Sequence, residues 1–480
     1  MLSSQRLSEG LRPFSLGSRC PPEAARDGAA SWPWEMGALA RPMGLLLLFS
    51  TPLAKCWGQP LEGVAAPAPP HTKRVLTLAD AKRLSFENNW DLLAAQSDVD
   101  IATAQKIVAR EFPNPTLSLS STMINFDNHP TTTGGRNDFW SRRYDTIAAI
   151  NQLFEVGGKR AKRKASAAAG FSAAQARLKD ARRLLDVAIT KAYVGALLAE
   201  TNVQILGQSA ASLRKEAEIA ETRLKAGDIS RADKSQIEIA ADRLELEAKT
   251  AESSAATARI SLEVLLGVPK PAGDWAPGDS LENLALPPFL AREKSPGALR
   301  PDLLAAEAAR QKAEVDFKLQ KALRIPDPTV LVQYEHEPPD QPNTVGFGLS
   351  FPLPLWNRNR GGIQAASAAL TQSSFQVEKV KALIAADIAT AELAYTDATA
   401  RWRRQRDLIQ PKAADIRQTI AFAYEKGGAS LLDLLLAERN DNEVRLATAQ
   451  AAADTANAAA ALKAALYLPE QPKTPGTAPK

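Results

Sequence analysis

The feature that most constrains this chain is a long stretch without proline. From Gly158 to Val268 no proline occurs, and only Gly227-Asp228 offers a turn. Proline ends helices, so a run rich in Ala, Leu, Glu and Lys is free to be helical throughout. Lys159–Ala226 covers 226−159+1 = 68 residues. Unbroken, it reaches about 100 Å at ~1.5 Å per residue. No compact soluble domain needs such a rod. Leu185, Ala188, Ala192, Gly195 and Ala199 recur at alternating four- and three-residue steps, a seam of small residues that lets a partner helix lie close. Gly227-Asp228 then makes a hairpin turn, with Ser230 as N-cap of a returning helix that ends at Leu266.

The plan occurs twice. Asp91-Leu92-Leu93-Ala94-Ala95 matches Asp302-Leu303-Leu304-Ala305-Ala306 (302−91 = 211). Pro113-Asn114-Pro115-Thr116 matches Pro326-Asp327-Pro328-Thr329 (326−113 = 213), and Gly157-Gly158 matches Gly361-Gly362 (361−157 = 204). Gly227 and Asp233 match Gly427 and Asp433 (427−227 = 200). The features keep their order and nearly their spacing, which identifies an internal duplication. The drop from 204 to 200 predicts one helical turn fewer in the second half. Pro411 predicts a kink or break in the second long helix.

Each half carries two runs that alternate apolar and polar residues, the period of a strand with one oily face. They are Thr116–Phe126 and Tyr144–Phe154, then Thr329–Glu335 and Thr344–Phe351. Their lengths approach the ~9–11 residues of a tilted membrane-spanning strand. Phe139, Trp140 and Tyr144 stand at a strand end, where barrel proteins place aromatic girdles. The alternative is an ordinary surface hairpin. Each second strand leads into a long helix through a glycine pair, as NQLFEVGGKR (Asn151–Arg160) and FPLPLWNRNRGG (Phe351–Gly362). Pro352 and Pro354 end the strand, and the pairs Gly157-Gly158 and Gly361-Gly362 are expected to let the chain turn.

The remaining organisation follows from composition. Residues 1–57 are expected to form a leader: Arg41 precedes the short apolar run Met43–Ala54, as in a signal peptide, and Met36 or Met43 is a candidate for the true start. Leu53-Ala54-Lys55-Cys56 resembles a lipoprotein cleavage box, with Lys55 unfavourable, so Cys56 is a candidate for lipidation. Residues 58–74 are a spacer predicted to be disordered, 75–268 the first repeat, 269–299 a Pro-rich linker, 300–468 the second repeat and 469–480 a disordered tail. Thr77–Glu111 is predicted helical, with a break at Asn88-Asn89.

The 59 Lys and Arg are interleaved with 54 Asp and Glu along the helices, which argues for solvated faces and against nucleic-acid binding. The two cysteines, Cys20 and Cys56, precede the repeats, so the body is expected to hold no disulfide or thiolate metal site. His71, His129 and His336 show no ligand spacing, and in Glu335-His336-Glu337 a strand would place only the two glutamates on one side. No phosphate loop or catalytic constellation is present, so neither a cofactor nor an enzymatic activity is expected.

Together RPDLLAAEA (Arg300–Ala308), the NP and DP strand starts and the two joints resemble the TolC-like outer membrane efflux protein family. FEVGGKR (Phe154–Arg160) and FPLPLWNRNRGG are most similar to its heavy-metal resistance, CzcC-like branch. The resemblance implies a mainly α fold with a membrane β part: long antiparallel helical hairpins in a trimeric α-barrel, and four strands per chain in a shared twelve-stranded barrel. It implies an exit duct of a tripartite pump, located in the outer membrane with its helices in the periplasm. The implied partners are two further copies, outer-membrane lipid, a periplasmic adaptor and an inner-membrane resistance-nodulation-division pump. It implies that Gly227, Asp228, Ser230, Gly427, Gly428 and Ser430 dock the adaptor. Asp433, and by equivalence Asp233, would then ring the periplasmic aperture; as bare sequence, Asp433 is equally a first-turn helix acid, and for Asp233 that plainer reading is favoured. The family's second aperture acid is Leu436 here. A drug-efflux or type I secretion duct of the same fold remains open. So does a soluble periplasmic coiled-coil scaffold, which would explain the hairpins but not the duplicated strands.

Overall fold

A computed structural model describes residues 74–122, 145–285, 300–337 and 341–467. The leader with Cys20, Met36, Met43 and Cys56, the spacer up to residue 73, the loop aromatics Phe139, Trp140 and Tyr144, and the tail from residue 468 lie outside the described residues.

The chain opens with β1 (Arg74–Leu76), α1 (Leu78–Asn88) and α2 (Trp90–Val108). Asn89 is the break between the helices: its backbone is extended, and its side chain caps α2 by accepting from Leu92 N–H. The first repeat continues with β2 (Thr116–Thr122), β3 (Asp145–Leu153), α3 (Lys159–Ala226) and α4 (Arg231–Leu265). The linker then forms β4 (Trp275–Pro277) and a short α5 (Leu281–Ala285). The second repeat is α6 (Pro301–Ala322), β5 (Thr329–Glu337), β6 (Gln341–Ser350), α7 (Arg360–Arg404), α8 (Gln410–Glu425) and α9 (Leu431–Leu466). Helix α3 runs unbroken for the full 68 residues.

Pro411 has the expected effect in an unexpected form. A π-helical turn, Gln405–Ile409, joins α7 to α8 and places the proline in the first turn of α8. The proline ring would clash with the carbonyl four residues earlier, and widening the turn removes the clash while the rod continues.

Two sheets form. β2, β3, β5 and β6 make an antiparallel four-stranded sheet in that order. β1 and β4 pair in parallel, so the linker is not featureless. This small patch organises the waist. The Tyr193 hydroxyl on α3 reaches the Leu76 carbonyl at 2.9 Å and the Asp279 carboxylate at 2.8 Å. Burial, and then Asp279, push its pKa well up. Asp279 also accepts from Leu78 N–H at the start of α1, and Trp275 stacks on Tyr193 at 6.1 Å. Ser85 and Asn89 donate to the Leu265 carbonyl, closing the end of α4.

The largest core cluster lies at this waist, built from Ile189, Tyr193, Val194, Leu197, Leu262, Trp275 and Trp402 with alanines of α9. The seam expected on α3 is correspondingly shifted. Leu185 is buried, but Ala188, Ala192, Gly195 and Ala199 are only half-buried, and the bulkier Ile189, Tyr193 and Val194 take the fully buried positions. Waist elements, not a bare helix pair, cover this part of the rod, so larger residues fit.

Gly267 makes the tightest approach. Its φ is +76°, and a Cβ there would lie 2.1 Å from the Asn88 carbonyl oxygen. Gly207, in the interior of α3, has nothing within 4 Å. Gly267→Ala should therefore lower the thermal midpoint sharply, by more than the ~1–3 kcal/mol of backbone strain alone. Gly207→Ala should raise it by up to ~1 kcal/mol equivalent. Thermal melts followed by helical circular dichroism of the two purified variants check both.

Candidate functional site

The four-stranded sheet separates its side chains by chemistry. Register aligns Leu117, Ile150, Val332 and Phe347 across the sheet, and next to them Leu119, Ala148, Tyr334 and Val345. Residues directly opposite share a face, so these form one apolar band, extended by Val330 and Leu349. The band is open to solvent: Phe347 is 81% and Leu119 72% exposed. The other face carries Ser118, Ser120, Thr122, Asp145, Asn151, Gln333, Glu335 and Thr344, with Gly346 and Gly348, and among its paired residues Ile147, Ala149 and Leu331 are apolar. Thr122 donates to Asp145, and Asn151 to Ser118. A sheet with a bare apolar face and a covered or polar reverse is the inverse of a soluble sheet and the pattern of a membrane barrel wall. Glu335 and His336 fall on opposite faces, and a register irregularity separates Glu335 from Glu337. Among the described residues no group of acids, histidines and cysteines is arranged to hold a metal.

Below the sheet, the joints depart from the expected equivalence. In the first, Gly157 and Gly158 both have positive φ, 71° and 68°, and Gly158 is the N-cap of α3. In the second, α7 begins at Arg360, so Gly361 and Gly362 lie inside its first turn. The left-handed residue is Asn359, with φ 53°. Its amide donates to the Gln320 carbonyl at 2.8 Å, and a Cβ on Gly362 would lie 2.3 Å from the Asn359 Oδ1. Gly362 thus makes room for Asn359 instead of turning the chain. Matched by helix starts, the offset is 360−159 = 201, against 200 at the turns. The expected loss of a helical turn is therefore absent; pairing the wrong glycines produced it. Pro352 and Pro354 follow the end of β6, and beside them Trp356 is 93% exposed.

The first joint is locked more tightly. Lys159 is buried, pairs with Asp327 at 2.8 Å and donates to the Ile325 carbonyl at 2.5 Å. Asp327 also accepts from Val156 N–H, and Phe154 N–H bonds the Pro328 carbonyl. Asp327 belongs to the DP strand start, which explains why that motif accompanies the joint. Arg300 of RPDLLAAEA is 2% exposed and bridges Asp302 and Asp387.

At the far end of the rods, Gly227 is the C-cap of α3 with φ 85°, and Gly427, with φ 76°, follows the Lys426 C-cap of α8. Asp228 and Gly428 donate backbone N–H bonds to the Arg223 and Ala423 carbonyls, closing the turns. Ser230 and Ser430 begin the returning helices with full capping boxes, in which Asp233 and Asp433 are the reciprocal partners. Each aspartate is thereby tied to its own helix start, at 2.8 Å and 2.6 Å from the serine hydroxyls. The Ser430 hydroxyl, and then its backbone N–H, hold the Asp433 carboxyl below its ordinary range.

Between these turns and the waist lies a polar core that the sequence reading missed. Glu438, Asp441 and Asn442 of α9 are buried. Arg417 of α8 pairs with Glu438 and Asp441, both at 3.3 Å, Arg445 pairs with Asp441, and Ser209 of α3 donates to Asn442. Burial, then the carboxylates Glu425 and Glu438, push Glu216 upward. The missed signal is spacing: Glu438, Asp441, Asn442 and Arg445 continue the stripe of Leu434 at helical steps, where an apolar face was due.

A family model described as outer membrane efflux protein matches residues 83–268 and 297–466. The chain belongs to this family. Among its relatives, the cobalt-zinc-cadmium resistance protein CzcC of Cupriavidus metallidurans is 26% identical over 416 residues, spanning 86% of this chain and 95% of that protein. In keeping with this, FEVGGKR and FPLPLWNRNRGG resemble the CzcC-like branch. The outer membrane protein VceC of Vibrio cholerae shares the fold with a TM-score of 0.66 at 20% identity, covering 81% of this chain and 95% of VceC. CusC, whose structures concern folding and transmembrane channel formation, gives 0.65 at 17% identity, covering 86% and 99%. As a family member the chain is an outer-membrane efflux duct and not an enzyme. The soluble scaffold alternative falls away, since it leaves the exposed apolar band without a solvent.

Ser430→Ala should weaken the second turn by about 1 kcal/mol, read as faster amide exchange at the start of α9. Because Asp433's folded pKa is depressed, its contribution is present above the ordinary carboxylate range and fades as pH falls below ~4. Exchange there should accelerate on acidification in the native protein and respond less in Ser430→Ala.

Proposed function

We propose that three copies of this chain close a twelve-stranded barrel in the outer membrane and hang a helical cylinder into the periplasm. The observation that carries this is the four-stranded sheet with its bare apolar band and two unpaired edges, β2 and β6. Unpaired backbone groups are not tolerated in lipid, so four strands alone cannot span it, whereas a closed ring can. The polar reverse face then lines the lumen, with Asp145 and Glu335 at the end away from the joints and glycines on β6 keeping the bore open.

The exported solute is proposed to be heavy-metal cations, on the strength of CzcC and the joint motifs. A duct need not ligate its cargo, since tight binding slows exit. The turns around Gly227, Asp228, Ser230, Gly427, Gly428 and Ser430 are proposed to dock a periplasmic adaptor, through which an inner-membrane resistance-nodulation-division pump supplies energy and selectivity. Asp433 and Asp233 serve first as capping residues; three copies of Asp433 near the aperture would add a cation-attracting ring.

A strain lacking this chain should lose growth on zinc, cobalt or cadmium salts while its tolerance of drugs and detergents is unchanged; the reverse pattern would favour a drug-efflux duct. Phe347→Arg should destabilise the inserted protein by up to ~2–4 kcal/mol, seen as trimers that dissociate at lower temperature in detergent. Unchanged trimers would mean the band does not face lipid.

A further inference from the structure

The duplication carries the geometry of the seam between copies. Within the sheet, Thr116 faces Asn151 and Thr329 faces Ser350. The two hairpins are therefore equivalent with offsets of 329−116 = 213 for β2 and β5, and 350−151 = 199 for β3 and β6. The apolar faces coincide under this match: Leu117 and Leu119 fall on Val330 and Val332, and Ala148 and Ile150 on Phe347 and Leu349. The two halves meet inside the chain through β3 and β5, where Asn151 faces Leu331 and Ile150 faces Val332. A ring of equivalent hairpins repeats that contact between copies, with β6 standing for β3 and β2 for β5.

We propose that β6 pairs antiparallel with β2 of the next copy in one register, Ser350 opposite Ser118 of the partner subunit and Leu349 opposite Leu119 of the partner subunit. This rests on the trimer proposed above and specifies how its edges join. The register follows from the offsets (350 = 151+199; 118 = 331−213). It has a consequence that was not used to derive it: serine meets serine on the polar face, and leucine meets leucine in the apolar band. A one-residue slip would set Leu349 against a polar-face serine and break the band. Every residue of β2 is exposed, and so are Ser350 and Leu349 at the other edge.

The seam between copies also differs from the seam within the chain. Beneath the inner seam, Lys159 is buried against Asp327. The equivalents at the outer seam are Arg360 and Asn114, both exposed in the single chain, and the neutral asparagine leaves no ion pair to form.

Paired cysteines in the full-length protein in its own outer membrane test the register. Directly opposite residues have Cα atoms ~4.5–5.5 Å apart, within disulfide reach of about 7 Å; a two-residue slip adds ~6.6 Å along the strand. Ser118→Cys with Ser350→Cys should give cross-linked dimers and trimers on non-reducing gels after mild oxidation. Thr116→Cys with Ser350→Cys and Ser120→Cys with Ser350→Cys should not, and the single-cysteine variants control for Cys20 and Cys56. Trimers that cross-link only at a slipped pair, or at none, overturn the register and leave the trimer standing. A protein that migrates only as a monomer in native gels from the same membranes overturns the trimer itself.

Discussion

Backbone amides and carbonyls find no water inside a bilayer, and the barrel proposed above answers that demand. The four strands pair with one another in three antiparallel ladders, and in the proposed ring their outer edges would meet those of neighbouring copies. The joints tie strands to helices through Lys159, Asp327 and Asn359. At the waist, Tyr193, Asp279 and Trp275 hold α1, α3 and the linker against one another.

Much of this was legible from residues alone. The limits of α3 follow from Gly158, Gly227 and the lack of proline between them, and the capped start of α4 from Ser230. Strand alternation gave both faces of the sheet, because period two is a strong local signal. What failed was tertiary. The second joint was misread because asparagine can take a left-handed conformation as glycine does, and only the fold shows that Gly362 yields space to Asn359. The β1–β4 pair escaped notice since three residues at each site carry no periodicity.

The helical rods combine two kinds of core. The waist is apolar and aromatic. Nearer the turns, Glu438 and Asp441 paired with Arg417, and Asn442 bonded to Ser209, replace it. Buried ion pairs contribute little net stability against apolar packing, yet removing one partner is costly. Such a core fixes the alignment of α3, α8 and α9 without tightening them as leucines would.

The π turn before Pro411 has a consequence for symmetry. Helix α3 has no such turn over its 68 residues, whereas the α7–α8 rod, nearly as long from helix start to glycine turn, carries one at Gln405–Ile409. The wide turn bonds each amide five residues back in place of four, so the hydrogen-bond ladder of the second rod is interrupted where that of the first is continuous. In a ring of three chains, rods with and without the wide turn would alternate, and the likeness of the two halves in the sheet would not extend down the rods.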